Sequence, residues 1–418
     1  MSSEHAFGLA VEQYRSIGVD VEAALRALRS TAISVHCWQG DDVAGFETAD
    51  SKLDGGGIQV TGNYPGRARN IGELRMDVEK LLTLVPGSHR LNIHASYGEF
   101  GSKFVDRNQI ETRHFQGWID WASSHDLELD FNSTFYSHPK AIEYTLASDD
   151  PSIRAFWIEH AKRCRSIAAA IGEAQASACI HNLWIPDGEK DYPVDRFGRR
   201  ATLVESLDQI FAEEMPAAAI KDAVEAKLFG IGSEAFVVGS HEFYLGYAIS
   251  RKKLLCIDMG HFHPTELIAD KISSILQFVP ELLLHVSRSM RWDSDHVVVL
   301  NDDVRMLAQE VVRSGRIDNI HIGLDFFDAS INRLGAWAVG TRSTLKAILA
   351  ALLEPANALL EYEREGNKFA RLALLEESKT LPLGAVWDHH CASVGAPSDR
   401  ALIGEVGAYE HDVQSKRA

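Results

Sequence analysis

The sequence predicts an α/β protein whose eight parallel strands and their helices close into a (β/α)8 barrel, the TIM barrel. Three observations predict it. The length, 418 residues, suits one such barrel with additions. Eight short apolar runs alternate with amphipathic helical stretches. Nearly every run also ends in a polar or ionisable residue, at the end of the strand where such barrels carry their chemistry.

The elements follow one another regularly along the chain. A helical lead-in is predicted over residues 3–29, where apolar residues recur with helical spacing. The eight predicted strands are Ala32–Trp38, Arg90–Ser96, Glu128–Thr134, Ala178–Ile185, Asp222–Leu228, Leu254–His261, Leu282–Arg288 and Asn319–Phe326. Predicted helices between them include Ile71–Leu84, Asp150–Ala170, Leu203–Met215 and Val304–Ser314.

This pattern divides the chain into a lead-in (1–30), a catalytic barrel (31–345) and a C-terminal helical extension (346–418). The extension carries more apolar surface than a solvent-exposed tail should, so it contacts either another subunit or its own barrel. The long Gly-rich connection Gln39–Asn70 is either a surface insertion or a loop over the barrel mouth. The sequence leaves both alternatives open.

The charge balance excludes two classes of partner. The 59 acidic residues outnumber the 42 basic ones, for a net charge of −17, whereas nucleic acid and anionic membranes attract basic surfaces. The five cysteines are scattered without paired spacing, which fits reduced thiols in the cytoplasm. The first residues do not resemble a signal peptide, and no apolar run approaches the ~20 residues of a membrane helix. We therefore predict a soluble cytoplasmic protein.

The last four strands end in residues that suit a metal ion. Glu225, Asp258, His285 and Asp325 come one from each strand. A buried charge costs several kcal/mol unless it is paired or bound to a metal, so four such groups point to a divalent cation. Carboxylates with some imidazole suit Mg²⁺, Mn²⁺, Co²⁺ or Zn²⁺.

A second ion is predicted beside the first. His261, in a D-x-x-H pair with Asp258, would join Asp293 and Asp295, a D-x-D pair beyond the seventh strand. Alone, a D-x-D pair is more typical of a solvated loop or a helix cap. Two ions in such sites lie ~3.5–4 Å apart, so we expect the Asp258 carboxylate to be shared.

Further residues indicate a polar substrate. Lys227 follows Glu225 by two positions, so both side chains point into the barrel, where the ammonium would face a substrate oxygen that gains negative charge. His94 is a candidate to act on a hydroxyl proton, and Trp184 with Trp38 offers flat walls of the kind sugars pack against. No phosphate-binding loop, serine elbow or dinucleotide fingerprint is present.

These segments resemble those of bacterial L-rhamnose isomerases. The resemblance extends from about residue 15 to 385 and includes VHCWQGDDV, GGIQVTGNYPG, NLWIPDGEKD, EAKLFGIG, DMGHFHPTE, LLLHVSR, RWDSDHVV and GLDFFDASINR. More remotely, the E-x-K, D-x-x-H and D-x-D set resembles xylose isomerase. Asp258 stands where that enzyme has a bridging Glu, and His285 where it has an Asp. Those departures bear on metal preference rather than on the type of chemistry.

The resemblance implies reversible aldose–ketose isomerisation of L-rhamnose to L-rhamnulose, with Mn²⁺ favoured over Zn²⁺ or Co²⁺, in a homotetramer. It implies that the four-strand set holds a structural metal and that His261, Asp293 and Asp295 hold the catalytic one. Lys227 matches the lysine near the sugar O1, and His94 and Trp184 line the pocket. Asp328 or Asp325 assists proton movement. We favour a hydride shift over a cis-enediol route, because no carboxylate base for carbon is evident.

Three other functions remain open at this point. The first is isomerisation of another rare aldose on the same barrel. The second is two-metal hydrolysis, against which the net charge of −17 and the absence of a basic rim weigh when the substrate is nucleic acid. The third is sugar binding without catalysis, for which the complete ligand set and Lys227 would have no use.

Overall fold

A computed structural model of the chain describes residues 3–47, 60, 62–101, 104–227, 235–288 and 296–417. Within these ranges eight parallel strands close into a barrel, and each overlaps its predicted run. They are β1 (Ile33–His36), β2 (Arg90–His94), β3 (Glu128–Asn132), β4 (Cys179–Trp184), β5 (Ile220–Glu225), β6 (Leu254–Asp258), β7 (Leu282–Val286) and β8 (Ile320–Leu324). The pairing of β8 with β1, through Ile33 opposite Ile322, closes the barrel and confirms the predicted fold class.

The described helices lie before, between and after the strands. They are α1 (Ser3–Ser16), α2 (Val21–Ser30), α3 (Ile71–Leu84), α4 (Gln116–Ser124), α5 (Pro151–Gln175), α6 (Arg196–Ile210), α7 (His241–Arg251), α8 (Ala269–Ile275), α9 (Asp302–Arg313), α10 (Arg333–Leu352), α11 (Ala356–Arg364), α12 (Lys368–Ser378), α13 (Leu383–Ser393) and α14 (Asp399–Asp412). A short antiparallel pair joins Gly188–Glu189 to Phe236–Val237 above the barrel.

Local chemistry explains where these helices begin. Asn70 caps α3 by accepting a hydrogen bond from the Glu73 amide, and the α3 bounds agree with the prediction. Helix α6 begins seven residues before its predicted start, because the Asp195 carboxylate caps it. The lead-in is two helices rather than one, because Gly18 has a positive φ of 83° between them.

Side chains alternate between two environments along each strand. Outward-facing apolar residues pack under the helices in the main hydrophobic core. A smaller apolar layer crosses the barrel interior at mid-height and contains Ile180, Ala223, Cys256 and Leu283. Polar groups lie on both sides of this layer, at the two ends of the barrel interior.

The polar groups at the N-terminal ends of the strands form paired networks. Arg90 forms ion pairs with Glu128 and with Asp130, at 2.9 Å in the latter pair, and the Ser34 hydroxyl donates to Asp130 at 2.6 Å. Across the barrel, Glu281 accepts from Lys221 at 2.5 Å and lies 2.8 Å from His321 Nε2. We call these residues the basal cluster: Ser34, Arg90, Glu128, Asp130, Lys221, Glu281 and His321.

The C-terminal helices pack against the rest of the chain. On α13, the His389 ring stacks on Phe7 of α1 with ring centroids 3.6 Å apart. Beyond α14, Arg417 forms an ion pair of 2.6 Å with Asp77 on α3. Gln414 lies so close to Gly66 that a Cβ added there would be 2.7 Å from the Gln414 Cβ. These contacts hold the part of the β1–α3 connection around Gly66. The division of the chain into lead-in, barrel and extension stays a prediction.

Helix α10 follows the last strand and is largely buried. No single helix in the described ranges is long and apolar enough to cross a membrane; α10 and α11 meet the criteria only as a pair, bent by 52°. All five cysteines are free and buried.

Candidate metal centre

Four side chains converge at the C-terminal ends of β5 to β8. Glu225 and Asp258 are the last residues of β5 and β6, His285 is the penultimate residue of β7, and Asp325 directly follows β8. Parallel pairing places Asp258 beside His285 in register. One ligand atom from each of the four residues lies within 4.8 Å of the others, so the strand ends bring the predicted first ligand set together.

Each carboxylate of this set has one oxygen fixed by a neighbouring donor. Three of these hydrogen bonds come from side chains and one from the backbone. They join Asn182 Nδ2 to Glu225 Oε2 at 2.5 Å, Trp38 Nε1 to Asp325 Oδ1 at 3.0 Å, and both Gly260 N (2.5 Å) and Ser287 Oγ (3.2 Å) to Asp258 Oδ1. Such outer contacts orient metal ligands and leave the second oxygen of each carboxylate directed inward.

The inward atoms lack ordinary partners. Glu225 Oε1, Asp258 Oδ2 and both ring nitrogens of His285 are buried without a hydrogen bond in the described part of the chain. His285 Nδ1 lies 3.4 Å from Glu225 Oε1, 3.7 Å from Asp258 Oδ2 and 3.4 Å from Asp325 Oδ2. Buried polar atoms are rarely left unsatisfied unless a water or an ion completes them. Three carboxylate oxygens around one imidazole form a donor set that fits a divalent cation.

The pKa values of these groups reflect the excess of negative charge in the four-residue cluster. Burial raises the pKa of Asp258 to about 7. Burial alone would lower the pKa of His285, but the neighbouring Cys256 and Glu225 outweigh it and hold that pKa well above its usual value. Protons are therefore retained where a cation would otherwise neutralise the carboxylates.

The second predicted ligand set is only partly described. His261 lies in the turn after β6, with its amide donating to Asp258 O at 3.2 Å. Its Nδ1 lies 3.2 Å from Glu225 Oε1, which places it at the edge of the first set. Asp293 and Asp295 lie outside the described residues, so the structure does not test whether they join His261.

Aromatic rings lie next to the cluster, where Trp38 contacts Asp325 and Trp184 stacks on His261. His94 meets the Trp38 ring edge-on, with centroids 4.6 Å apart, and also contacts Tyr136 at 5.8 Å. Tyr136 in turn contacts Trp184, whose ring lies 6.0 Å from Lys227 Nζ. Burial lowers the pKa of His94 to about 3, so this imidazole is neutral near pH 7. The rings of Trp38, His94, Tyr136 and Trp184 thus form one contiguous group that ends beside Lys227.

The remaining predicted residue, Asp328, is engaged elsewhere. Its carboxylate accepts hydrogen bonds from the amide and hydroxyl of Ser330, at 2.7 and 2.6 Å, in the turn before α10. Its backbone is held by the Gln39 side chain, which donates to Asp328 O at 3.0 Å. These contacts fix the end of β8 rather than direct the Asp328 carboxylate toward the four-residue cluster.

Sequence reasoning missed several residues that shape this site. They are the donors Asn182, Gly260 and Ser287, the ring of Tyr136 and the thiol of Cys256. The signal for Asn182 and Cys256 was present, because each precedes a recognised strand-end residue by two positions and so shares its face. Tyr136 lies beyond the end of β3, where strand alternation gives no guide.

Comparisons with known proteins agree with the geometry. A family model described as L-rhamnose isomerase (RhaA) matches residues 1–417. The L-rhamnose isomerase of Rhodopirellula baltica is 60% identical over 99% of this chain and 97% of its own length. That of Bacteroides thetaiotaomicron is 53% identical over 99% of this chain and 98% of its own.

A solved L-ribulose 3-epimerase aligns with 79% of this chain and 97% of that chain at 10% identity, with a TM-score of 0.46. So loose a likeness supports no argument about chemistry. The family match and the two relatives instead cover essentially the whole chain. The chain belongs to the L-rhamnose isomerase family.

Proposed function

We propose that the protein interconverts L-rhamnose and L-rhamnulose, as a metal-dependent aldose–ketose isomerase. The observation that carries the proposal is the four-residue cluster, whose inward oxygens and imidazole converge at the catalytic end of the barrel. Membership of the family supplies the sugar, because the two relatives compared are both named L-rhamnose isomerase.

We assign the four-residue set to one divalent ion, and His261 with Asp293 and Asp295 to a second. The closeness of His261 Nδ1 to Glu225 Oε1, 3.2 Å, supports two adjoining sites. When bound, the ions supply Lewis acidity toward two neighbouring sugar oxygens. Carboxylates with imidazole suit several divalent ions. We expect Mn²⁺ because the resemblance to the L-rhamnose isomerases implies it, and Zn²⁺ or Co²⁺ are the alternatives for the centre as a whole.

The chain's own side chains orient the sugar. We assign the Lys227 ammonium to the sugar O1, where it would stabilise the negative charge that grows as the carbonyl forms and breaks. We assign neutral His94 to a sugar hydroxyl, which would replace one of its two long contacts, with Thr134 Oγ1 at 3.3 Å or with Asn132 Nδ2 at 3.4 Å. Its neighbour Trp38 presents an apolar face. Trp184 forms the opposite wall. Asp325, or less directly Asp328, would assist proton movement.

We favour direct transfer of the C2 hydrogen to C1. In Glu225, Asp258 and Asp325 one carboxylate oxygen accepts from a neighbouring donor and we assign the other to the metal ion, which leaves none as a free base for carbon. The expected result is that L-rhamnose labelled with tritium at C2 keeps its label through turnover. Washout of the label into water at the rate of turnover would overturn the route.

The experiment that tests the function is re-metallation. Protein treated with EDTA should lose isomerase activity on L-rhamnose, and added Mn²⁺ should restore it. The restored enzyme is then assayed on L-mannose, L-lyxose and D-allose, and we expect the highest kcat/KM on L-rhamnose. A higher value on another aldose would reassign the substrate, and full activity after complete metal removal would remove the metal from the mechanism.

We also propose a homotetramer in the cytoplasm. Exposed apolar residues support further subunit contacts: Tyr192, Val194 and Phe197 near the start of α6, and Phe369 with Leu372 on α12. The five free thiols fit a reducing compartment. Analytical ultracentrifugation should give four times the chain mass, and Phe197→Asp or Phe369→Asp should shift the protein toward smaller species if its patch is an interface.

A further inference from the structure

Cys256 lies directly beneath the metal centre. It precedes Asp258 by two residues on β6, so both side chains face the barrel interior, roughly 6–7 Å apart along the strand. Its Sγ, a ligand oxygen of Glu225 and a ring nitrogen of His285 lie within 4.8 Å of one another. Glu225 and His285 therefore belong to two donor sets, one completed by oxygen and the other by sulfur.

The two shared residues have atoms available for a ligand. Glu225 Oε1 and both ring nitrogens of His285 make no hydrogen bond among the described residues, and these side chains are 2% and 0% exposed. Cys179, by contrast, packs in the main hydrophobic core. The position of Cys256 is thus not only that of a small apolar filler.

We propose that Glu225, Cys256 and His285 form a thiolate-containing metal site for thiophilic divalent ions such as Co²⁺, Zn²⁺ or Cd²⁺, alternative to the oxygen-rich set used by Mn²⁺. Thiolate ligands favour soft or borderline ions, whereas carboxylates favour Mg²⁺ and Mn²⁺. The two sets share Glu225 and His285, so one ion excludes the other. Binding forms a metal–sulfur bond and releases the thiol proton to the buffer.

This inference rests on the metal centre proposed above but not on sugar isomerisation. Its consequence is that the kind of ion decides which donors are used. A thiophilic ion would engage Cys256 and leave Asp258 and Asp325 without the cation that Mn²⁺ provides them. Ions with similar affinity for the protein would then differ in how they arrange the strand ends that face the sugar.

The test is spectroscopic and needs no substrate. Metal-free protein is titrated with Co²⁺, and we expect an intense near-ultraviolet band from thiolate-to-cobalt charge transfer that saturates with metal binding. Cys256→Ser should abolish the band. The ratio of the Cd²⁺ to the Mn²⁺ dissociation constant, measured by calorimetry, should rise about tenfold or more in Cys256→Ser, the scale on which lost contacts weaken metal sites.

Cys179→Ala is the matched control, because Cys179 is also a buried free cysteine on a barrel strand, and it should keep the band. Wild-type protein that binds Co²⁺ without a charge-transfer band would overturn the proposal, even if no variant folds. A band that persists in Cys256→Ser would also overturn it. Loss of isomerase activity on L-rhamnose would leave these outcomes unaffected, so the two proposals fail separately.

Discussion

The two ends of the barrel interior are equally polar but are satisfied in opposite ways. In the basal cluster, the Arg90 guanidinium meets two carboxylates, and Glu281 meets both Lys221 and His321. At the C-terminal end, Glu225, Asp258 and His285 leave their inward atoms without hydrogen bonds among the described residues, and Asp325 completes the cluster. Both ends place ionisable residues inside strands, so polarity and burial alone do not distinguish them.

What distinguishes the two ends is whether the protein supplies the opposite charge. A buried ion pair is complete in itself and mainly fixes structure, whereas carboxylates gathered without a cation require one from outside. The apolar layer of Ile180, Ala223, Cys256 and Leu283 keeps the two networks apart. Each end can therefore be changed with little effect on the other, and the experiments below depend on this separation.

The largest effect should come from Asp258→Asn. Loss of a charged ligand should lower kcat/KM for L-rhamnose about a thousandfold, the scale of losing one preorganised electrostatic contact. The metal-free protein should melt no lower than wild type, because the variant removes a buried carboxyl group whose inward oxygen has no hydrogen bond among the described residues. Steady-state kinetics with Mn²⁺ and thermal melts after EDTA measure both. If the variant kept a tenth of wild-type turnover, Asp258 would not be a ligand.

Arg90→Met should have the opposite pattern, with a loss of stability and little change in activity. It leaves Asp130 and Glu128 buried or half-buried without their cation, which should lower the free energy of unfolding by about 3–5 kcal/mol. The kcat of the remaining folded enzyme should stay within about twofold of wild type, because such distant sites act nearly independently. Chemical denaturation at fixed Mn²⁺ measures the first quantity. Arg69→Met, which breaks the exposed pair with Glu73, is the control and should change stability little.

Asp187, a carboxyl group at the catalytic end that accepts hydrogen bonds from the protein, should make the stability depend on pH. Burial raises its pKa from 3.8 to about 6, although Thr145 and Ala147 donate hydrogen bonds to it. The folded protein thus binds this proton more tightly than the unfolded chain. The resulting stabilisation is complete below pH 3.8 and is lost as the pH rises through 6.

In Asp187→Asn this pH dependence should disappear. The difference between the unfolding free energies of wild type and variant should change by about 2 kcal/mol between pH 4 and pH 7, in favour of the variant at higher pH. Denaturation curves at each pH give this difference. A constant difference across that range would mean that Asp187 is ionised in the folded protein throughout.

The smallest expected effect is on an outer contact of the metal centre. Asn182→Leu removes the donor to Glu225 Oε2, which should weaken Mn²⁺ binding about 10–100-fold while the four ligands remain. Calorimetric titration of metal-free protein measures it. Unchanged Mn²⁺ affinity would show that Glu225 is oriented by the strand alone.

The barrel could be predicted from the sequence because period-two and helical patterns are local. All eight predicted runs overlap a barrel strand, and the strand ends brought Glu225, Asp258, His285 and Asp325 together as expected. The start of α6 could not be placed, because residues 196–202 lack an apolar stripe and the start depends on the Asp195 cap. Hydrophobic periodicity shows which face of a helix or strand is buried, but it does not show which residue caps a helix.

The distinction between the two ends of the barrel was also beyond the sequence. Lys221 and Glu225 lie on the same face of one strand, yet the first has a protein partner in Glu281 and the second is a candidate ligand. Which charges meet depends on register between strands far apart in the chain. The same holds for Asn182, whose contact with Glu225 spans 43 residues.

The contacts of Gln414 and Arg417 carry a consequence for synthesis on the ribosome. Domains generally fold from the N-terminus as the chain emerges. Here the strand that closes the barrel ends at Leu324, and Tyr64 N donates to Ala329 O shortly after it. Gly66 itself gains its contacts with Gln414 and Arg417 only when residues 414–417 have docked. We therefore expect nascent chains stalled before residue 414 to form a closed barrel with an unfinished rim, more open to proteases near residue 66 than the released protein.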